Sequence, residues 1–109
     1  MANIEPSKKA LLRRVLEGDG KTSVTDRRSA FNNSGLSEPV RQLVDKVAVN
    51  ASSVDDGDIS RARQSGLSED QVFEIVVCAA IGQASRQYDR AKTALEAAGG
   101  TRDAARNSQ

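Results

Sequence analysis

The chain of 109 residues has no histidine, no tryptophan, one cysteine, two prolines and three aromatic residues. Each shortage excludes something. Without histidine there is no Ser–His–Asp or Cys–His catalysis and no His-ligated zinc. A single cysteine, Cys78, excludes an internal disulfide, a Cys-x-x-Cys redox pair and a structural zinc centre of the usual kind. Charge of one sign is also lacking: 16 Lys+Arg stand against 15 Asp+Glu. That balance predicts no affinity for nucleic acid or for an anionic membrane. The longest apolar run, Ile75–Ile81, is too short for the roughly 20 residues a membrane span needs. Residues 1–16 hold no continuous apolar stretch of the signal-peptide kind. The expectation is a cytoplasmic protein.

Large apolar residues are few. Val, Ile, Leu and Phe number 10, 4, 7 and 2. A monomer with so little to bury is marginal, so oligomerisation is expected to supply part of the core. The 15 alanines allow close helix packing, although each buries little area.

What is present is helical periodicity. Few prolines and little β-branched alternation predict an all-α protein, a small helical bundle with one long central C-terminal helix. A first helix is expected from Pro6 to Leu16, broken by Glu17-Gly-Asp-Gly-Lys21. A weak second helix covers Thr25–Asn33, with Ser23 or Thr25 as its cap. A third follows Ser37 as N-cap, with Val40, Leu43, Val44 and Val47 on one face. A short fourth, Asp56–Gln64, stops at Gly66 as a left-handed cap. Ser68-Glu-Asp-Gln71 is a capping box that opens a helix of about 43 Å, from Glu69 to about Ala97, ended by Gly99-Gly100. The expected division is an N-terminal helical arm over 1–36, a helical core over 37–98 and a disordered polar tail over 99–109.

The long helix carries the main signal. Val72–Ile81 is apolar nearly all round, as a buried central helix would be. Beyond it, Val77, Ile81, Ala84, Tyr88, Ala91 and Leu95 follow spacings of 4 and 3, an a/d seam fit for a second helix. This seam is the expected oligomer interface, and a homo-oligomer or another protein is the expected partner.

The remaining motifs are weaker. Gly18-Asp-Gly-Lys-Thr-Ser23 lacks the glycine and the preceding strand of a phosphate loop, and no cofactor is expected. Asp55, Asp56 and Asp58 suit a helix start better than a cation site. Lys8, Lys9, Arg13 and Arg14 have no interleaved aromatic to stack bases, which favours a solvated face or a docking surface for an acidic partner. Cys78 has the character of a core residue, with a redox-sensing thiol as the sharper alternative. Glu74 is a charge within an apolar stretch and is expected to pair with an arginine or to reach the core boundary. Ser34-Gly-Leu-Ser-Glu38 recurs as Ser65-Gly-Leu-Ser-Glu69, through either shared capping chemistry or an internal duplication.

The stretch Val54-Asp-Asp-Gly-Asp-Ile-Ser-Arg-Ala-Arg-Gln-Ser-Gly-Leu-Ser-Glu-Asp-Gln-Val-Phe-Glu-Ile-Val-Val-Cys-Ala-Ala80 resembles the second half of alkylhydroperoxidase D-like, or carboxymuconolactone decarboxylase-like, proteins. Val40-Arg-Gln-Leu-Val44 resembles the helix before it, and the likeness covers roughly Ser37–Ala98. The resemblance implies an all-α fold assembled into trimers or hexamers. Redox members of that family carry Cys-x-x-Cys and a following His, assisted by a Glu on the preceding helix. Counted back from Gly66, the Cys positions fall here on Ala51 and Val54 and the His position on Asp58. Counted forward from Val40, the Glu position falls on Gln42, and the Cys and His positions on Val54, Gly57 and Arg61. Either register leaves thiol peroxidase chemistry unsupported. The leading expectation is therefore a non-catalytic member of this type, a structural or interaction subunit that self-assembles or partners an active relative. The alternative is an enzyme of the decarboxylase-like type acting on a small organic acid, with Glu74, Arg86 and Tyr88 converging as carboxylate, anion binder and hydroxyl. A redox sensor acting through Cys78 is the third reading.

Overall fold

The computed structural model describes residues 5–107, with side chains through Gly99. It contains five α-helices and, among the described residues, no strand. They are α1 (Glu5–Glu17), α2 (Val24–Asn32), α3 (Val40–Val49), α4 (Asp56–Gln64) and α5 (Glu69–Asn107), with a 3₁₀ turn at Ala51–Ser53 between α3 and α4.

The helix ends follow local chemistry. Ser23 caps α2 by accepting the Asp26 N–H, and Asn33 closes it in the left-handed conformation. Asp55 and Asp58 form a reciprocal capping box on α4. Gly66, at φ +110°, turns the chain from α4 into α5. Ser68 and Gln71 exchange side-chain-to-backbone bonds at the start of α5.

Two boundaries differ from the sequence expectation. Ser37 does not cap α3 with its side chain. Helix α3 starts at Val40, after a cis Glu38–Pro39 peptide, and the Arg41 N–H donates to the Ser37 carbonyl. The two Ser-Gly-Leu-Ser-Glu segments thus share a left-handed glycine, Gly35 and Gly66, but not a capping box. The residue in the place of Gln71 is Val40, whose side chain has no acceptor to offer. The second difference is the end of α5, which runs through Gly99 and Gly100 to Asn107. Two glycines cost about 1 kcal/mol each relative to alanine, and a helix already nucleated over thirty residues propagates through them.

The core is made of small side chains. Ala30, Leu43, Val44, Val47, Ala48, Ala62, Val72, Ile75, Cys78 and Ala79 are buried. Helices α2 and α3 supply most of the packing against α5. The closest approach is at Gly82, which is buried under the C-terminal end of α2. A Cβ there would overlap the Phe31 carbonyl oxygen. No helix among the described residues is long and apolar enough to cross a membrane.

The centre of α5 is not buried all round, contrary to the expectation for Val72–Ile81. Val72, Ile75, Cys78 and Ala79 face the core, whereas Phe73 is 58 % exposed and Ala80 is exposed. Helices α1 and α4 flank this side of α5 and leave a strip between them uncovered.

Candidate functional site

Glu74, Arg86 and Tyr88 do not converge on one site within the chain. Glu74 and Arg86 are twelve residues apart on α5, about 18 Å along the helix axis. Each is also committed to another element, in ways the sequence does not announce.

Glu74 binds the loop between α1 and α2. Its carboxylate accepts the N–H of Lys21 at 2.9 Å, the N–H of Thr22 at 2.8 Å and the Thr22 hydroxyl at 2.8 Å. The glycine-rich segment Gly18–Ser23 therefore does cradle an anion, but the anion is a side chain of the same molecule. Partial burial pushes the Glu74 carboxyl up, and the bonds from Lys21 and Thr22 outweigh it, so the net value is below 4.5. Among the described residues Glu74 makes no ion pair with an arginine; half-buried, it lies at the core boundary, the other expectation. Arg27 helps Glu74 only through its field, and its own Nη1 donates to the carbonyls of Val15 (3.2 Å) and Gly18 (2.7 Å). Arg27 is 6 % exposed and closes the end of α1. Sequence reasoning missed both Arg27 and Thr22. One of two adjacent arginines on a short polar helix, Arg27 rather than Arg28, gives no signal of burial.

Arg86 serves α2. Its Nη1 donates a 2.6 Å bond to the Phe31 carbonyl, one of the orphan carbonyls of the helix end, and its Nη2 bonds Gln83. Gly82 and Arg86, one turn apart, hold the same carbonyl. Tyr88 serves α1. The Lys8 ammonium lies 4.4 Å from its ring centroid, and its hydroxyl donates to Glu5 at 3.4 Å. Lys8 also pairs with Asp89, and Glu5 with Lys92. Lys8 is thus spent within the chain, while Lys9, Arg13 and Arg14 remain exposed.

Asp58, the most buried acid, is structural as well. It pairs with Lys46 and Arg61 and accepts the Asp55 N–H. The Asp55 backbone bond first, then Lys46, lowers its carboxyl from 3.8 to about 2. Cys78 is 1 % exposed, and its thiol donates weakly to the Val15 carbonyl. Burial pushes the thiol up, which lowers its reactivity.

The expected seam is divided by the structure. Ile81, Ala84 and Tyr88 line a groove of about 440 Å³ whose other wall is Leu11 and Leu12 of α1. Ile81 and Tyr88 are thereby half-buried within their own chain. What stays open is the adjoining seam, rotated by one position: Phe73, Val77, Ala80, Ala84, Gln87, Ala91, Ala94 and Ala98. These residues keep alternating spacings of 4 and 3 over three and a half heptads. All are exposed except Val77, which is half-buried. Leu95 borders the strip at 70 % exposure, second only to Val49 among the large hydrophobic residues described. A second groove, of about 420 Å³, flanks the other side of the strip between Ile59, Val76 and Phe73.

Comparison of the chain with family models, with curated proteins and with solved structures gave no match.

Proposed function

We propose that this protein is a non-catalytic helical interaction protein that self-assembles through the uncovered seam of α5. The observation that carries the reading is that seam: a regular 4–3 repeat, apolar but for Gln87, on a helix that packs on its own subunit as far as Tyr88 and is exposed on every side from Asp89 to Ala98. Exposed apolar residues in a row mark an interaction surface more often than a solvent face. The small core favours the same conclusion. Among the described residues the largest buried side chains are few, Leu43, Val44, Ile75 and Cys78, and a second copy would add apolar burial where the single chain has little.

Against a catalytic role stands the use already made of the polar candidates. Glu74 is held by a loop and Arg86 by a helix end, so neither presents a free group to a substrate. The resemblance of Ser37–Ala98 to alkylhydroperoxidase D-like proteins belongs to this reading, as that of a member without the thiol pair and histidine. It draws support from the order of a short helix α4, a Gly-Leu-Ser turn and the long helix α5. The test is sedimentation of the intact chain beside Ala84→Glu, which places a charge in the middle of the seam. The expected result is an oligomer for the first and a helical monomer for the second. Equal masses for both would refute the reading.

A further inference from the structure

Helix α1 is held to the rest of the fold in two different ways along its length. Its C-terminal end is built in. Val15 and Leu16 pack against the core, Arg27 donates to the carbonyls of Val15 and Gly18, and the Cys78 thiol donates weakly to the same Val15 carbonyl. The chain just beyond is anchored too, because Glu74 holds Lys21 and Thr22. The N-terminal part, Glu5–Leu12, has no such seat. No residue of α1 is buried, and Leu11 is 53 % exposed. The groove of about 440 Å³ between Leu11 and Leu12 on one side and Ile81 and Ala84 on the other stays unfilled. Side chains across such a gap forfeit the dispersion contacts of a packed joint.

The ion pairs and the ring contact that hold this part lie at the surface. Lys8 pairs with Asp89 at 2.9 Å and sits over the Tyr88 ring. Glu5 pairs with Lys92 at 3.0 Å and accepts the Tyr88 hydroxyl. Asp89 and Lys92 are exposed. The charges form a matched latch. An acid and a base stand three residues apart on α1, and a base and an acid three apart on α5 meet them with the helices antiparallel. Exposed ion pairs contribute little to stability and weaken as salt is added.

We infer that Glu5–Leu12 is a strap over α5, latched by charge at its N-terminal end and hinged at Val15–Gly18, which lifts as ionic strength rises and uncovers Ile81 and Tyr88. The inference goes beyond the proposed self-assembly and does not rest on it, because latch, hinge and seat all lie within one chain. The strap nevertheless sets how wide an apolar face α5 presents. Closed, it screens Ile81 and Tyr88; lifted, it adds them to the neighbouring Ala84. A lifted segment does not keep its helix, since isolated helices shorter than about 12–15 residues are marginal in water. Lifting and loss of amide protection in Glu5–Leu12 therefore come together.

The test is residue-resolved amide hydrogen exchange on the intact chain between about 10 mM and about 1 M NaCl, over which the Debye length falls from roughly 30 Å to roughly 3 Å. Exchange of the Lys9–Leu12 amides is expected to speed up about tenfold relative to that of the core amides Ile75–Ala79, the factor that two surface ion pairs supply. In a chain carrying both Asp89→Asn and Lys92→Gln, the strap amides are expected to exchange fast at both salt concentrations. Tyr88 gives a second readout, as the only tyrosine in a chain without tryptophan. Quenching of its fluorescence by acrylamide is expected to rise under the conditions that speed exchange. Strap amides that exchange no faster in high salt or in the double variant would overturn the inference and place α1 in one cooperative unit with α5. Faster exchange with Tyr88 still shielded would overturn it as well, because that is a fraying helix end and not a lifted strap.

Discussion

The carbonyl oxygen of Phe31 rests directly on Gly82, and Arg86 one turn later donates a 2.6 Å hydrogen bond to it. This contact locks α2 across α5 and is the tightest joint in the fold. Gly82→Ala inserts a methyl group where backbone already stands, and backbone cannot turn aside as a flexible side chain can. The expected cost is about 3 kcal/mol or more, a fall of roughly 12 °C in the melting midpoint followed by circular dichroism. An unchanged midpoint would show that α2 does not sit so close.

Glu74 ties the α1–α2 loop to α5, so Glu74→Gln loses the charge on three hydrogen bonds while keeping the shape. We expect lower stability at neutral pH, by roughly 1–2 kcal/mol, measured by urea unfolding. Its pH dependence has a definite sign. The Glu74 carboxyl titrates below 4.5 in the folded protein and that of Asp58 at about 2 rather than 3.8. Both contributions are therefore present above the unfolded values and are lost as pH falls through the folded ones. Unfolding curves between about pH 5 and 2 should be steeper in pH for the parent than for Glu74→Gln or Asp58→Asn. Parallel curves for all three would contradict the assignment.

Much of this fold is legible in the sequence because its helix signals are local. The Ser68–Gln71 box, the Asp-rich start of α4 and Gly66 each specify their neighbours, and the structure places them as expected. The 4–3 spacing from Val77 to Leu95 likewise falls on one continuous helix. What periodicity cannot show is which of two adjacent seams a neighbouring helix takes. Ile81 and Tyr88 were as good a stripe as Ala80 and Gln87 until α1, tethered by the Glu5–Lys92 and Lys8–Asp89 pairs, closed over the former. The same limit applies to Glu74 and Arg86. Their partners are a loop fifty residues away and a helix-end carbonyl, and no spacing rule encodes either.

Cys78 is a core residue in this structure, so a thiol reagent should modify it slowly in the native protein. We expect labelling in urea to be faster than native labelling by at least about a hundredfold, the factor that an opening free energy of roughly 3 kcal/mol gives. Equal rates in the two conditions would revive the redox-sensor reading.

Phe73 is 58 % exposed at the N-terminal end of the seam. Phe73→Ser should weaken assembly at least tenfold, read as a concentration-dependent shift in mass, because a buried aromatic anchor contributes about 1.5–3 kcal/mol. The helical content of the variant should match the parent at high concentration. Loss of helix with no change in mass would mean that Phe73 serves the core of its own subunit.

The measurement that bears most directly on the whole account is light scattering after size exclusion on the purified chain at micromolar concentration. The account requires a mass at least twice 11.6 kDa, with helix and assembly lost together as urea rises. A well-folded monomer of 11.6 kDa, unchanged by concentration, would contradict it.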